Sequence, residues 1–158
     1  MTRLATRLVD LLAIVTFAGM FACVLAQVVF RYFLGDPLVW SDELGRYLFV
    51  WCAFLGWIIA ARRRSHLSVG MAADRLPPRG QAAIAMFGAL AAIAFAAVLA
   101  WYGTAITLRN LDVETASLVI SMGVVYTIVP LAAVAVGLHA LADLSRAFRS
   151  LHRPAPTA

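Results

Sequence analysis

Charge is what this chain has least of: 13% of its 158 residues are charged, against about a quarter in soluble domains, and 63% are hydrophobic. That shortage excludes an ordinary solvated globular surface. Lysine is missing altogether, the 13 basic residues all being arginine, which together with the wealth of alanine suggests a GC-rich genome. Cysteine is scarce. Cys23 and Cys52 both fall in apolar blocks and read as small buried hydrophobes. With no CxxC and no Cys/His cluster, a metal or redox pair has no basis. GxSxG, P-loop, HExxH and dinucleotide motifs are also lacking. No catalytic, cofactor-binding or metal residue is therefore assigned, no cofactor is expected, and the chain is not read as an enzyme.

The apolar residues are gathered in blocks. A hydrocarbon core about 30 Å thick needs roughly 20 apolar residues per helix. Four such spans fit, at about 8–33, 44–61, 82–107 and 117–144, within one membrane domain over 1–158. Nothing between them is long enough to bury a soluble core. The first block is too long for a signal-peptide core and has no small-residue cleavage site, so it is expected to be retained. The fold class that follows is all-α: an integral membrane four-helix protein. Its second helix can run unbroken from Pro37, capped by Asp36, to Ala61, about 37 Å. A break near Ser41, giving an interfacial helical segment before the span, is equally allowed. Pro130 is expected to kink the fourth helix, with Thr127 or a neighbour serving the freed carbonyl.

Arginine placement sets the topology. With four spans, Arg3, Arg7, Arg62, Arg63, Arg64, Arg75, Arg79, Arg146, Arg149 and Arg153 share one side. The other side holds Arg31, Arg46 and Arg109 with Asp36, Asp42, Glu43, Asp112 and Glu114. The positive-inside rule puts the first side, and both termini, in the cytoplasm. The net charge of +5 is then a topology signal, and nucleic acid is not an expected partner.

Trp40, Tyr47, Trp51 and Phe54 form a narrow stripe on the second helix, flanked by Glu43 and Arg46, which are spaced to pair. The plain reading is an aromatic belt with headgroup-level charges. The functional one is a docking face for another membrane protein, since aromatics and arginine anchor interfaces. Gly88, Ala92, Ala96 and Ala100 give the third helix a small-residue stripe suited to close packing. His139, with Asp143 a turn later, reads as a structural hydrogen bond before a proton relay, and Gln27 as a bond to a neighbouring helix. No span carries a midplane carboxylate, and only Pro130 breaks a helix near midplane, so the chain reads better as scaffold than as carrier.

The segment from Arg31-Tyr32-Phe33 through Pro37-Leu38, Trp40 and Asp42-Glu43 to Arg46 resembles the small membrane subunit, DctQ-like, of tripartite ATP-independent periplasmic (TRAP) transporters. Phe49 to Gly56, the basic loop of Arg62, Arg63, Arg64 and His66, and Tyr126 to Pro130 are also similar to that family. Gly70 departs from it, standing where an acid is expected. The resemblance implies a bacterial inner-membrane, multi-pass subunit without chemistry of its own. Such a subunit braces the scaffold of a large TRAP membrane subunit. The complex it serves is a sodium- or proton-coupled symporter for an organic acid brought by a periplasmic solute-binding protein. Arg31, Trp40, Asp42, Glu43, Arg46, Tyr47, Trp51 and Phe54 become the candidate partner contacts, with the lipid bilayer around them. Two other readings are weighed: the membrane anchor subunit of a redox enzyme, whose haem would want two histidines at one level, and an independent small exporter.

Overall fold

The computed structural model describes residues 3–62 and 78–151. Arg63, Arg64, His66, Gly70, Arg75 and Arg153 lie outside them. The described residues are almost wholly helical: α1 (Arg3–Val29), α2 (Val39–Arg62), α3 (Pro78–Arg109), a short α4 (Met122–Tyr126) and α5 (Ile128–Leu151). Four stretches are long and apolar enough to cross a membrane: Leu4–Leu34, Val39–Arg62, Gly80–Arg109 and Met122–Arg149. The chain is thus an all-α, multi-pass membrane protein.

The first span ends by widening. Phe30–Leu34 form a π-helical turn closed by Gly35, whose φ of 69° is a left-handed conformation that costs glycine nothing. The amide of Asp36 donates back to the Phe30 carbonyl at 3.2 Å. Pro37 disfavours helix at the residue before it, so Asp36 and Pro37 stay in the connection and do not cap α2. From Val39 the second helix is continuous: its 24 residues, about 36 Å at 1.5 Å per residue, cross without a break at Ser41. Ser41 is instead buried; its hydroxyl donates to the Leu38 carbonyl at 2.7 Å, and the Cys23 thiol donates to the Ser41 carbonyl at 3.3 Å. The second of these bonds ties the C-terminal part of α1 to the start of α2.

The fourth span starts later than its hydropathy suggests, at Met122 and not at 117. Residues 114–121 close a small loop, with an antiparallel bridge between Glu114 and Ser121. Ser121 caps α4 by accepting the Gly123 amide at 3.1 Å and donates to the Leu111 carbonyl at 2.6 Å. The helix breaks where Pro130 is expected to break it, but the Thr127 hydroxyl goes elsewhere than to the carbonyl freed by Pro130. Pro130 cannot donate to the Tyr126 carbonyl, and the helix is interrupted at Thr127, whose hydroxyl donates to the Gly123 carbonyl at 2.7 Å.

The spans do not pack in sequence order. α1 packs on α2, α2 on α5, and α5 on α3, so the fourth span lies between the second and the third. The core between α2 and α5 is Leu55, Ile58 and Ala61 against Ile128, Ala132 and Val136. Small residues bring α3 and α5 together, at a seven-residue repeat that supersedes the expected stripe. Ala82, Ala89, Ala96 and Gly103 are the buried positions of α3, whereas Gly88 is exposed. Opposite them, Ala133, Ala140 and Ala147 are buried with the same spacing. A methyl group at Gly137 would sit 3.5 Å from Ala96 Cβ, ordinary contact. One built on Gly103 would fall 2.9 Å from Val129 Cγ1, so the crossing needs glycine there. Without lipid-against-water hydrophobicity to drive it, such packing is what holds spans together. Much apolar surface stays outside, most of all on α1, where only 6% of the most apolar stretch is buried.

Candidate functional site

The eight candidate contact residues divide into an outward and an inward set. Arg31 is exposed and makes no ion pair among the described residues. Trp40 is exposed at the start of α2. Asp42 and Arg46 pair with each other at 3.0 Å on the open surface, with side-chain exposures of 69% and 70%. This replaces the expected Glu43–Arg46 pair: Arg46 lies one full turn from Asp42, a better-aligned spacing.

Glu43 turns the other way. Its Oε1 accepts the Ala116 amide at 3.1 Å, its Oε2 accepts the Ser117 amide at 2.7 Å, and the Tyr47 hydroxyl donates to Oε1 at 2.5 Å. Tyr47 Oη also lies 3.6 Å from the Met122 sulfur. One carboxylate thus clamps the loop between the third and fourth spans onto the N-terminal end of α2. Below it, Trp51 and Phe54 are half-buried against the α2–α5 core. Phe54 meets Trp57 edge-on at 6.3 Å, and Trp57 meets Phe95 of α3 at 5.8 Å. The aromatic stripe therefore serves packing within the chain along most of its length, and its N-terminal end, Trp40, is the exposed member.

The loop that Glu43 holds runs on past Ala116 into residues that hydropathy reads as the start of the fourth span. Thr115 is buried; its amide donates to the Ile120 carbonyl at 2.8 Å and its hydroxyl accepts the Ile120 amide at 3.1 Å. The Met122 amide donates to the Val113 carbonyl at 2.8 Å. Between these bonds Val119 is held at φ 53°, a strained conformation for a β-branched residue. A Thr and a Ser flanking a short polar linker were the only signal available. At the opposite end, Arg62, expected in the basic loop, is instead the last residue of α2 and closes it onto α1, pairing with Asp10 at 2.5 Å and donating to the Thr6 carbonyl at 3.2 Å.

His139 Nδ1 sits 3.0 Å from the Ala135 carbonyl one turn back, a bond inside its own helix that places the proton on Nδ1. No group of three or more metal-binding side chains occurs among the described residues. What the candidate residues leave exposed is thus a charge pair, an indole and Arg31.

The sequence pattern of the DctQ component of tripartite ATP-independent periplasmic transporters matches residues 20–150. The chain belongs to this family. Among its relatives, a TRAP transporter small permease protein of Haemophilus influenzae is 40% identical over 73 residues, 46% of this chain and 45% of that one. The sialic acid TRAP transporter small permease protein SiaQ of Vibrio cholerae is 30% identical over 77 residues, 49% of this chain and 44% of that one. The matches thus span less than half the length of these relatives. The sialic acid TRAP transporter permease protein SiaT of Haemophilus influenzae is 32% identical over 63 residues, 40% of this DctQ-family chain and 10% of the relative. The stretch similar to this chain is there a small part of a much longer polypeptide.

Proposed function

We propose that this chain is the small permease subunit of a TRAP-type secondary transporter in the bacterial inner membrane, both termini in the cytoplasm. In this reading it braces the fixed scaffold of a large membrane subunit while an organic acid, delivered by a periplasmic binding protein, enters with sodium or protons. Family membership carries the reading. The fold supports it: spans one to four pack in the spatial order one, two, four, three, with much apolar surface left open, which suits lateral attachment to a larger protein better than an enclosed pathway. In the longer relative SiaT, the stretch similar to this chain is already joined to the rest of a permease.

The docking surface, also a proposal, is Arg31, Trp40, Asp42 and Arg46 at the outer end, continuous with the apolar faces of the spans. Glu43, Tyr47, Trp51 and Phe54 support it from behind. The same outer turn helps receive the binding protein; its test belongs on Asp42, because reversing Glu43 would release the loop at 116–117. No catalytic residue and no cofactor enter this account.

Deletion of the gene tests the function. Growth of the deletion strain on a panel of dicarboxylates, keto acids and sialic acid as sole carbon source is expected to fail for one solute and to return with a plasmid copy. Unchanged uptake of every solute accepted by the parent strain would overturn the proposal.

A further inference from the structure

We propose that a groove between α3 and α5, at the end where α3 begins and α5 finishes, holds one acyl chain of an anionic phospholipid, with the lipid's phosphate on Arg149. The groove has a volume of about 510 Å³. Met86 and Leu90 of α3 form one wall, and Leu141, Leu144 and Phe148 of α5 the other. It exists because the two helices approach through alanines: Ala89 and Ala147 are buried, and the larger side chains beside them stand apart. Leu90, Leu141 and Phe148 remain half exposed, so the groove opens sideways, as an entering chain requires.

Its polarity is graded. From Leu141 to Arg149 the helix rises about 12 Å, most of one leaflet's hydrocarbon depth of about 15 Å. The deep end is apolar, and Ser145 and Arg149 are at the rim. Arg149 is the last residue of the fourth span, hence at headgroup level. Asp143 is held by Arg146 at 2.7 Å, and Arg149 makes no ion pair among the described residues. The Ser145 hydroxyl donates to the Ala142 carbonyl at 2.9 Å, leaving its oxygen free to accept only. An apolar slot ending in a guanidinium with no ion pair among the described residues complements an amphiphile with a net negative head; in a zwitterionic head the ammonium offsets the phosphate's charge and weakens the attraction. This inference needs only that the chain spans a membrane and does not rest on the transporter reading.

The test uses the full chain, with whatever subunit co-purifies, in phosphatidylcholine nanodiscs. Phe148→Trp places an indole in the groove, and the signal of the native tryptophans is subtracted using the parent chain. Equal mole fractions of brominated phosphatidylglycerol or brominated phosphatidylcholine are then added. One arginine at the membrane surface predicts about a five-fold preference for quenching by phosphatidylglycerol. Arg149→Gln should abolish that preference, Arg149→Lys should restore it, and Arg109→Gln at the opposite end should leave it intact. Should Phe148→Trp disturb packing, Leu141→Trp reports from the same groove. Equal quenching by both lipids, a preference that survives Arg149→Gln, or no quenching by either, as when a second copy or a partner helix covers the groove, would each overturn the proposal.

Discussion

Replacing Gly103 with alanine adds one methyl group at the closest approach of α3 and α5. That methyl would stand 2.9 Å from Val129 Cγ1 and 3.3 Å from both Cδ and N of Pro130. Neither neighbour yields readily, since valine is stiff at χ1 and the proline ring is fixed. The cost therefore falls in the upper half of the overpacking range of about 1–3 kcal/mol. Alanine regains about 1 kcal/mol of helix propensity, leaving a net loss of roughly 1–2 kcal/mol. For a chain of this size that lowers the melting temperature by about 3–6 °C, measurable by intrinsic fluorescence of the purified protein in mild detergent. Two controls share the chemistry without the clash. Gly137→Ala makes only ordinary contact with Ala96, and Gly88→Ala meets nothing within 4 Å. Both should melt at or slightly above the parent temperature. Val129→Ala in the Gly103→Ala background should recover part of the loss. A Gly103→Ala protein as stable as Gly88→Ala would refute the reasoning.

Glu43→Ala removes the acceptor of two backbone amides, so hydrogen exchange at Ala116 and Ser117 should quicken while α2 below Tyr47 keeps its protection; unchanged exchange in that loop would count against the clamp. Arg62→Ala should destabilise by roughly 1 kcal/mol or less, because Asp10 is 40% exposed and the pair is partly solvent-screened. The exchange Asp10→Arg with Arg62→Asp should restore most of that loss in a melting experiment, and no restoration would mean the pair does not tie α1 to α2. His139→Ala should leave uptake unchanged in the complemented deletion strain, since among the described residues its hydrogen bond is to its own helix; loss of uptake with normal protein levels would reopen a proton-relay role.

The four spans were legible because hydropathy over some twenty residues is a strong signal. The break near Pro130 was legible too, because a missing amide has a fixed consequence four residues upstream. Packing order was not, since nothing in hydropathy says which apolar helix lies against which. In an alanine-rich helix several small-residue stripes coexist, and the four-residue stripe through Gly88 and Ala96 competed with the seven-residue stripe through Ala96 and Gly103. Only the facing residues, Gly137 and Val129, decide between them. Among the site residues, chemistry was legible and direction was not. Asp42 and Glu43 are adjacent carboxylates, but about 100° apart around the helix. One therefore meets Arg46 in the open, while the other meets a loop more than seventy residues away.

The measurement that bears most directly on the central claim is extraction of the tagged full chain from its native membrane in mild detergent, followed by mass spectrometry of its companions. A large polytopic membrane protein in stoichiometric amount, lost when Trp40, Asp42 and Arg46 are replaced together, is the predicted result. Recovery of this chain alone, or with a soluble redox enzyme in place of a membrane partner, would contradict it.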